Sequence, residues 1–171
     1  MRQFFTALAG AVGVEEMAEA RLVLGAGLYE VFAAMPRQYR RHALGVYGRV
    51  REAGCDDPIV WQAALLHDSG KYDVASGRYV TVLHRVAVVL LGAVPGGRRV
   101  LRAVSRRADA RGLSGWVWYP FYLSRHHARL GAARAARLRA ADEVVRLIER
   151  HQEDAGEDAR LRVLQAADDR E

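Results

Sequence analysis

The sequence predicts an all-α fold, and three observations carry that expectation. Apolar residues recur at three- and four-residue intervals along most of the chain, the spacing of one face of a helix. No segment alternates convincingly between apolar and polar residues, as a half-buried strand would. The breaks between periodic segments hold residues that start or stop helices: Met35-Pro36, Gly54, Asp57-Pro58, Gly70 and Pro95-Gly96-Gly97.

Helices are expected over roughly 2–12, 15–34, 37–53, 58–68, 77–94, 97–108, 120–138, 141–152 and 158–169. Pro36 separates the second from the third, because proline pushes the residue before it away from helical dihedrals. Asp57-Pro58 supplies an N-cap followed by proline at the first helical position. Gly54 and Gly70 are natural C-terminal stops. Gly25-Ala26-Gly27 and Leu130-Gly131-Ala132 are places where small residues allow close helix approach. The apolar run Val86–Val94 is far shorter than the ~20 residues that span a bilayer, and it is expected to be a buried helix. The start of the chain, with Phe4-Phe5 and Leu8 ahead of Glu15-Glu16, reads as an amphipathic helix and not as a signal peptide.

At 171 residues the chain is expected to form one domain, 1–171. Residues 1–34 would cover one side of the core, and 72–118 would form a helical cap or insertion. The net charge of +6 favours anionic partners. The basic residues are scattered, so a solvated basic surface accounts for most of this, and nucleic-acid binding is not favoured. Cys55 is the only cysteine, which excludes an internal disulfide and fits a reducing cytoplasm. The Arg98-Arg99, Arg102 and Arg106-Arg107 cluster reads as a basic helix face. Trp116, Trp118, Tyr119, Phe121 and Tyr122 read as packing residues or a pocket lining.

The chemistry concentrates in Ala63-Ala64-Leu65-Leu66-His67-Asp68-Ser69-Gly70-Lys71, where imidazole and carboxylate stand side by side after an apolar run. That pair suits a divalent transition metal, and a cation just beyond suits a phosphate held beside it. Lys71 is the only lysine among 26 basic residues. His42, His67, Asp68, His127, His151 and Asp168 are the candidate ligands, spread over five expected helices. Neighbours on a straight helix point about 100° apart, so His67 and Asp68 serve one site if they stand at a helix end, where Gly70 lets the chain turn. Of the two remaining histidines, His84 is read as structural and His126 as a neighbour without a role.

In order and spacing these segments resemble the HD superfamily of metal-dependent phosphohydrolases over residues 25–171. Its H…HD…D signature corresponds to His42, His67-Asp68 and Asp168. Ala64–Lys71 is similar to the A-L-L-H-D-x-G-K core, and His127-Ala128-Arg129-Leu130-Gly131-Ala132 to the H-x-x-x-G-A element of the HDIG-like branch. Ile148-Glu149-Arg150-His151-Gln152-Glu153 resembles I-x-x-H-H-E with Gln152 in place of the second histidine. No GYP element follows, since Asp154-Ala155-Gly156-Glu157 stands there, and Ser69-Gly70-Lys71 replaces the E-D pair of ppGpp hydrolases.

The resemblance implies an HD-type helical bundle around a central metal site. One or two divalent ions (Mn, Fe, Mg, Ni, Co or Zn) would be held by His42, His67, Asp68 and Asp168. His127 and His151 would hold a second ion or contact phosphate. Asp68 and Lys71 would carry catalysis: a metal-activated water attacks a phosphomonoester or phosphodiester, a nucleotide being one candidate small phosphorylated substrate. Two alternatives accompany this reading, a di-iron oxygenase as in inositol oxygenase and a non-catalytic binding module. Neither the substrate nor the oligomeric state is legible in the sequence.

Overall fold

The structure is a computed structural model that describes residues 13–106 and 112–170, with side chains from residue 115 onward in the second stretch. The expected helix over 2–12 lies outside the described residues. The described residues hold eight α-helices: α1 Val14–Ala34, α2 Arg37–Glu52, α3 Pro58–Leu66, α4 Val82–Ala93, α5 Gly97–Val104, α6 Gly112–Arg137, α7 Asp142–Arg150 and α8 Ala159–Asp168. A 3-10 turn, Ser69–Lys71, and a small antiparallel pair, β1 Tyr72–Asp73 with β2 Arg78–Tyr79, separate α3 from α4. The fold is all-α. Among the described residues no helix is long and apolar enough to cross a membrane.

The bundle is built around α3. Val60, Ala63, Ala64, Leu65 and Leu66 are buried on every side of it, as suits a helix that is apolar all round. It packs against α1, α2, α7 and α8, which contribute Phe32, Val46, Ile148 and Leu161 to the same core. Asp57 starts it as expected, accepting from the Ile59 N–H at 2.9 Å, and also accepts from Arg160 Nε at 2.7 Å. That second bond ties the head of α3 to α8.

Several expectations need correction. The segment 77–94 is not one helix: Arg78 and Tyr79 pair with Asp73 and Tyr72. Helix α4 begins only after Thr81, whose hydroxyl pairs with His84 Nδ1 at 2.7 Å in a capping box. Two strands of two residues each carry too little alternation to be read from sequence. Helix α6 starts at Gly112, not 120, and continues through Pro120, where the missing N–H spares only one helical bond, to the exposed turn of Trp116.

The run Val86–Val94 is not buried. No residue of α4 is, and Val82, Leu83, Val86, Val89, Leu90 and Val94 face solvent. Gly25 breaks α1 with φ of 68°, and neither it nor Gly27 has a neighbour within 4 Å of where a Cβ would stand. Gly25 serves a kink, and neither glycine serves a close approach.

Candidate metal centre

The apolar run of α3 ends at Leu66, and His67 is its C-cap, with its backbone N–H bonded to Ala63 O at 2.8 Å. Asp68 follows at the entry to the 3-10 turn. Both are almost fully buried. The turn is pressed against α6 so tightly that a Cβ on Gly70 would lie 2.0 Å from His127 O, and one on Gly131 would lie 3.0 Å from Ser69 Oγ. Gly70 has no positive φ. Its use is the missing side chain, which lets the turn meet the helix that carries His127, and not a special turn conformation. Arg134 clamps the same junction, donating to Ser69 O at 2.8 Å and Tyr72 O at 2.9 Å. At the far side Gln165 donates to His151 O at 2.9 Å and Glu153 O at 2.6 Å, holding the end of α7 against α8.

This packing brings all six candidate side chains to one place. Two groups form, His42 with His67 and Asp168, and Asp68 with His127 and His151, the donor atoms of each lying within 4.8 Å of one another. In the first, His42 Nε2 is 3.0 Å from Asp168 Oδ1 and 3.3 Å from His67 Nε2, and His67 Nε2 is 3.5 Å from Asp168 Oδ1. In the second, His127 Nε2 is 3.2 Å from His151 Nε2 and 3.5 Å from Asp68 Oδ1. Asp68 joins the groups, its Oδ1 3.7 Å from His67 Nε2 and its Oδ2 3.7 Å from His42 Nε2.

The hydrogen bonds around the rings decide what faces the centre. His67 Nδ1, His127 Nδ1 and His151 Nδ1 each lie 2.7–2.9 Å from a backbone carbonyl three residues earlier, on Ala64, Ser124 and Ile148. A carbonyl only accepts, so each Nδ1 carries a proton, and the rings of His127 and His151, when neutral, turn a bare Nε2 lone pair inward.

Burial, then the Lys71 charge, pushes the His127 imidazole down to about 3. Burial, then His67, lowers His151. Both rings are therefore neutral near pH 7, and two lone pairs confront each other across 3.2 Å with no proton to share. Asp68 resists its own burial because His67, Lys71, His127 and His42 surround it, which keeps its carboxyl well below the usual range. Asp168 is likewise held low against burial by its bonds to His42 and His67. His67 shifts upward despite burial, because Asp68 and Asp168 favour its charged form.

Asp68 Oδ1 is buried without a hydrogen-bond partner although it is charged, an arrangement costly to hold unless a cation compensates it. Atoms that share one ion at about 2.1 Å lie about 3.0–3.4 Å apart, which matches the closest spacings here. This buried His/Asp group could hold a metal ion.

The centre lies under a cleft of about 470 Å³. Gln38, Tyr39, Arg41 and His42 of α2 form one wall, Val82 and Arg85 of α4 the other, and Asp68, Lys71 and Asp168 the floor. Lys71 Nζ donates to Asp68 Oδ2 at 2.8 Å. Arg41 is tethered by two bonds to Glu16, at 2.8 and 2.9 Å. Sequence reasoning missed Gln38, Tyr39, Arg41 and Arg85. Arg41 adjoins His42, so its position was within reach; Arg85 is brought in by a connection whose path no local pattern encodes.

His84 caps α4 and packs edge-on to Phe121 at 5.2 Å, outside the cleft lining. His126 packs against Tyr122 in a tilted pair, ring centroids 4.7 Å apart, and belongs to neither ligand group. Gln152 is exposed and points to a different depression, beside Phe121 and Ser124. Comparison with protein-family models, curated proteins and solved structures finds no match.

Proposed function

We propose that this chain is a metal-dependent phosphohydrolase of the HD type, cleaving a phosphomonoester or phosphodiester. One observation carries the reading: neutral imidazoles facing each other through bare lone pairs at 3.2 Å, around a charged carboxylate oxygen with no donor. Such a set needs an electrophile at its centre. His42, His67 and Asp168 would hold one divalent ion, and His127 and His151 a second, with Asp68 serving both. A bound divalent ion makes a water nucleophilic at neutral pH and polarises a phosphoryl oxygen.

The chain's own residues supply the rest. Asp68 stays ionised and orients a water that donates a hydrogen bond to its carboxylate. Lys71 has three N–H donors, so it keeps its bond to Asp68 Oδ2 while reaching a phosphoryl oxygen from the floor of the cleft. Arg85, on the α4 wall, neutralises further charge of a phosphate bound in the cleft, while Arg41 on the opposite wall is already paired with Glu16. An open cleft with guanidinium groups at its rim suits a small phosphoester.

The test is elemental analysis of purified protein, followed by a phosphatase and phosphodiesterase panel with Mn, Mg, Co, Ni and Fe. His67→Ala and Asp68→Ala should lose bound metal; unchanged metal content refutes their ligand roles. Lys71→Ala should keep metal and lose rate. Loss of metal in that variant would make Lys71 an organiser of Asp68 instead of a phosphate contact.

The pairing of two three-residue groups also favours a second reading, a di-iron oxygenase. Iron content with oxygen uptake on a polyol or phosphonate identifies that case. A purely binding module is the weaker reading, because confronted lone pairs and a buried orphan charge serve nothing without an ion.

A further inference from the structure

Helix α4 is apolar apart from His84 and Arg85, yet none of its residues is buried and only one side of it is covered. Val88 shares a depression with Leu101, Ser105 and Phe121, so that side rests on α5 and α6. On the opposite side Val82, Val86, Val89 and Leu90 line a shallow groove with Arg85. At about 100° per residue these four side chains form a single stripe, and Leu83 stands beside it. Leu83 is 80% exposed and Val89 70%. A helix with this pattern is normally buried in a core or in lipid.

The charge around the stripe is one-sided. Arg98, Arg99, Arg102 and Arg106 are exposed on and just beyond α5, the helix packed beside α4. From Val74 to Ala108 the chain has no acidic residue, and from Val74 to Ala141 it has thirteen arginines against Asp109 alone. The remainder of the chain holds nineteen of the 20 acidic residues. The bases are spread throughout; it is the acids that are missing from this stretch of the sequence.

We propose that the α4–α5 flank docks on the surface of an anionic lipid bilayer. An amphipathic helix lying in the interface buries an apolar stripe among the upper acyl chains and sets its cations among the headgroups. Each arginine near an anionic leaflet raises partitioning about fivefold. Two other occupants fit less well. A second copy of the chain would bring each arginine patch against its own image and be repelled. A nucleic acid would use the arginines but leave the stripe in water. Because Val82 and Arg85 also form one wall of the cleft, docking would place the cleft's mouth at the membrane. The inference rests on the shape and charge of this flank and not on the metal centre, so it stands or falls separately from the proposed activity.

Flotation of the full chain with vesicles tests it. The wild type should rise with phosphatidylcholine vesicles containing about 30 mol% phosphatidylglycerol and stay behind with phosphatidylcholine alone or in high salt. Leu83→Glu with Val89→Glu should lower binding at least about tenfold, as should Arg98→Glu with Arg102→Glu. Circular dichroism checks that these exposed substitutions leave the helices intact; if the first pair unfolds, the arginine pair decides. Failure of the wild type to bind anionic vesicles overturns the proposal. So does unchanged binding by the folded variants, or a wild-type dimer in solution that the Leu83/Val89 variant splits.

Discussion

The metal centre lies under the floor of the cleft, helix α4 of the α4–α5 flank forms one of its walls, and the two regions are built by opposite means. In the centre four polar groups are buried and oriented: three imidazoles are locked by carbonyls three residues back, and Asp68 is fixed by Lys71. In the flank apolar groups are exposed and held by little. Each region breaks the rule that apolar residues go inside and polar residues outside. The exceptions are where a folded chain has unfinished interactions, and each points to what would complete it: a cation in one case, an anionic apolar surface in the other.

The largest effect should come from the group that joins both halves of the centre. Replacing Asp68 with asparagine keeps its shape and removes its charge. Changing a group that merely supports metal ligands costs about 10–100-fold. Asp68 faces both groups directly, so Asp68→Asn should reduce metal content and lower the proposed phosphohydrolase activity by more than about 100-fold. Full activity with full metal loading would show that the buried orphan oxygen has another purpose.

Gly70→Ala tests the packing that assembles the centre. The added carbon meets backbone, His127 O at 2.0 Å and Gly131 N at 2.7 Å, and no side-chain rotation relieves it. The 3-10 turn must move off α6, at a cost of about 3 kcal/mol. Denaturant midpoints measure the loss, and a shift under about 1 kcal/mol would mean the junction is looser than its geometry. Gly25→Ala offers the contrast, since it meets no neighbour and suffers only from the positive φ.

These same residues explain what could be read from the sequence. The Leu66-His67-Asp68 step was legible because an apolar run ended abruptly on two ligand-type residues. Helix starts at Asp57-Pro58 and after Met35-Pro36 were legible because capping and proline act over one or two positions. The exposed stripe on α4 was not: Val86–Val94 looks the same in sequence whether its far side meets protein or solvent, and only tertiary packing distinguishes the two. The β1–β2 hairpin was missed for lack of length, and Arg85 because its place depends on how α4 returns over the cleft. Local chemistry is encoded locally; which face is left uncovered is decided by the whole chain.

Acid should weaken the centre before it affects the flank. The His127 imidazole sits at about 3 in the folded protein against an ordinary 6.5, so on acidification the unfolded chain binds that proton first. Stability therefore falls as pH drops from about 6.5 towards 3. His151 is shifted in the same direction and adds to the fall. Asp68 and Asp168, held low in the fold, contribute above the ordinary carboxylate value of 3.8 and lose that contribution below it. His67, shifted upward, opposes the trend, its contribution being present at low pH and lost as pH rises through its folded value. The melting temperature of metal-free protein should decline between pH 7 and pH 4, and His127→Gln should flatten the decline. A melting temperature that rises with acidity would mean that the His127 and His151 rings are protonated in the fold and not neutral.

The smallest effect is expected where the flank is treated as though it were core. Val60, on α3, is fully buried, and Val89, on α4, is 70% exposed. Val60→Glu places a charge among Ala20, Val46 and Leu161 and should leave no folded protein. Val89→Glu places the same charge in water and should shift the unfolding free energy by no more than about 0.5 kcal/mol. Urea midpoints on both variants make the comparison directly, residue type held constant and only the region changed. A loss above about 1 kcal/mol at Val89 would mean that α4 is covered in solution by another part of the chain or by a second copy. The stripe would then be ordinary core seen without its lid, and no lipid surface would be needed to account for it.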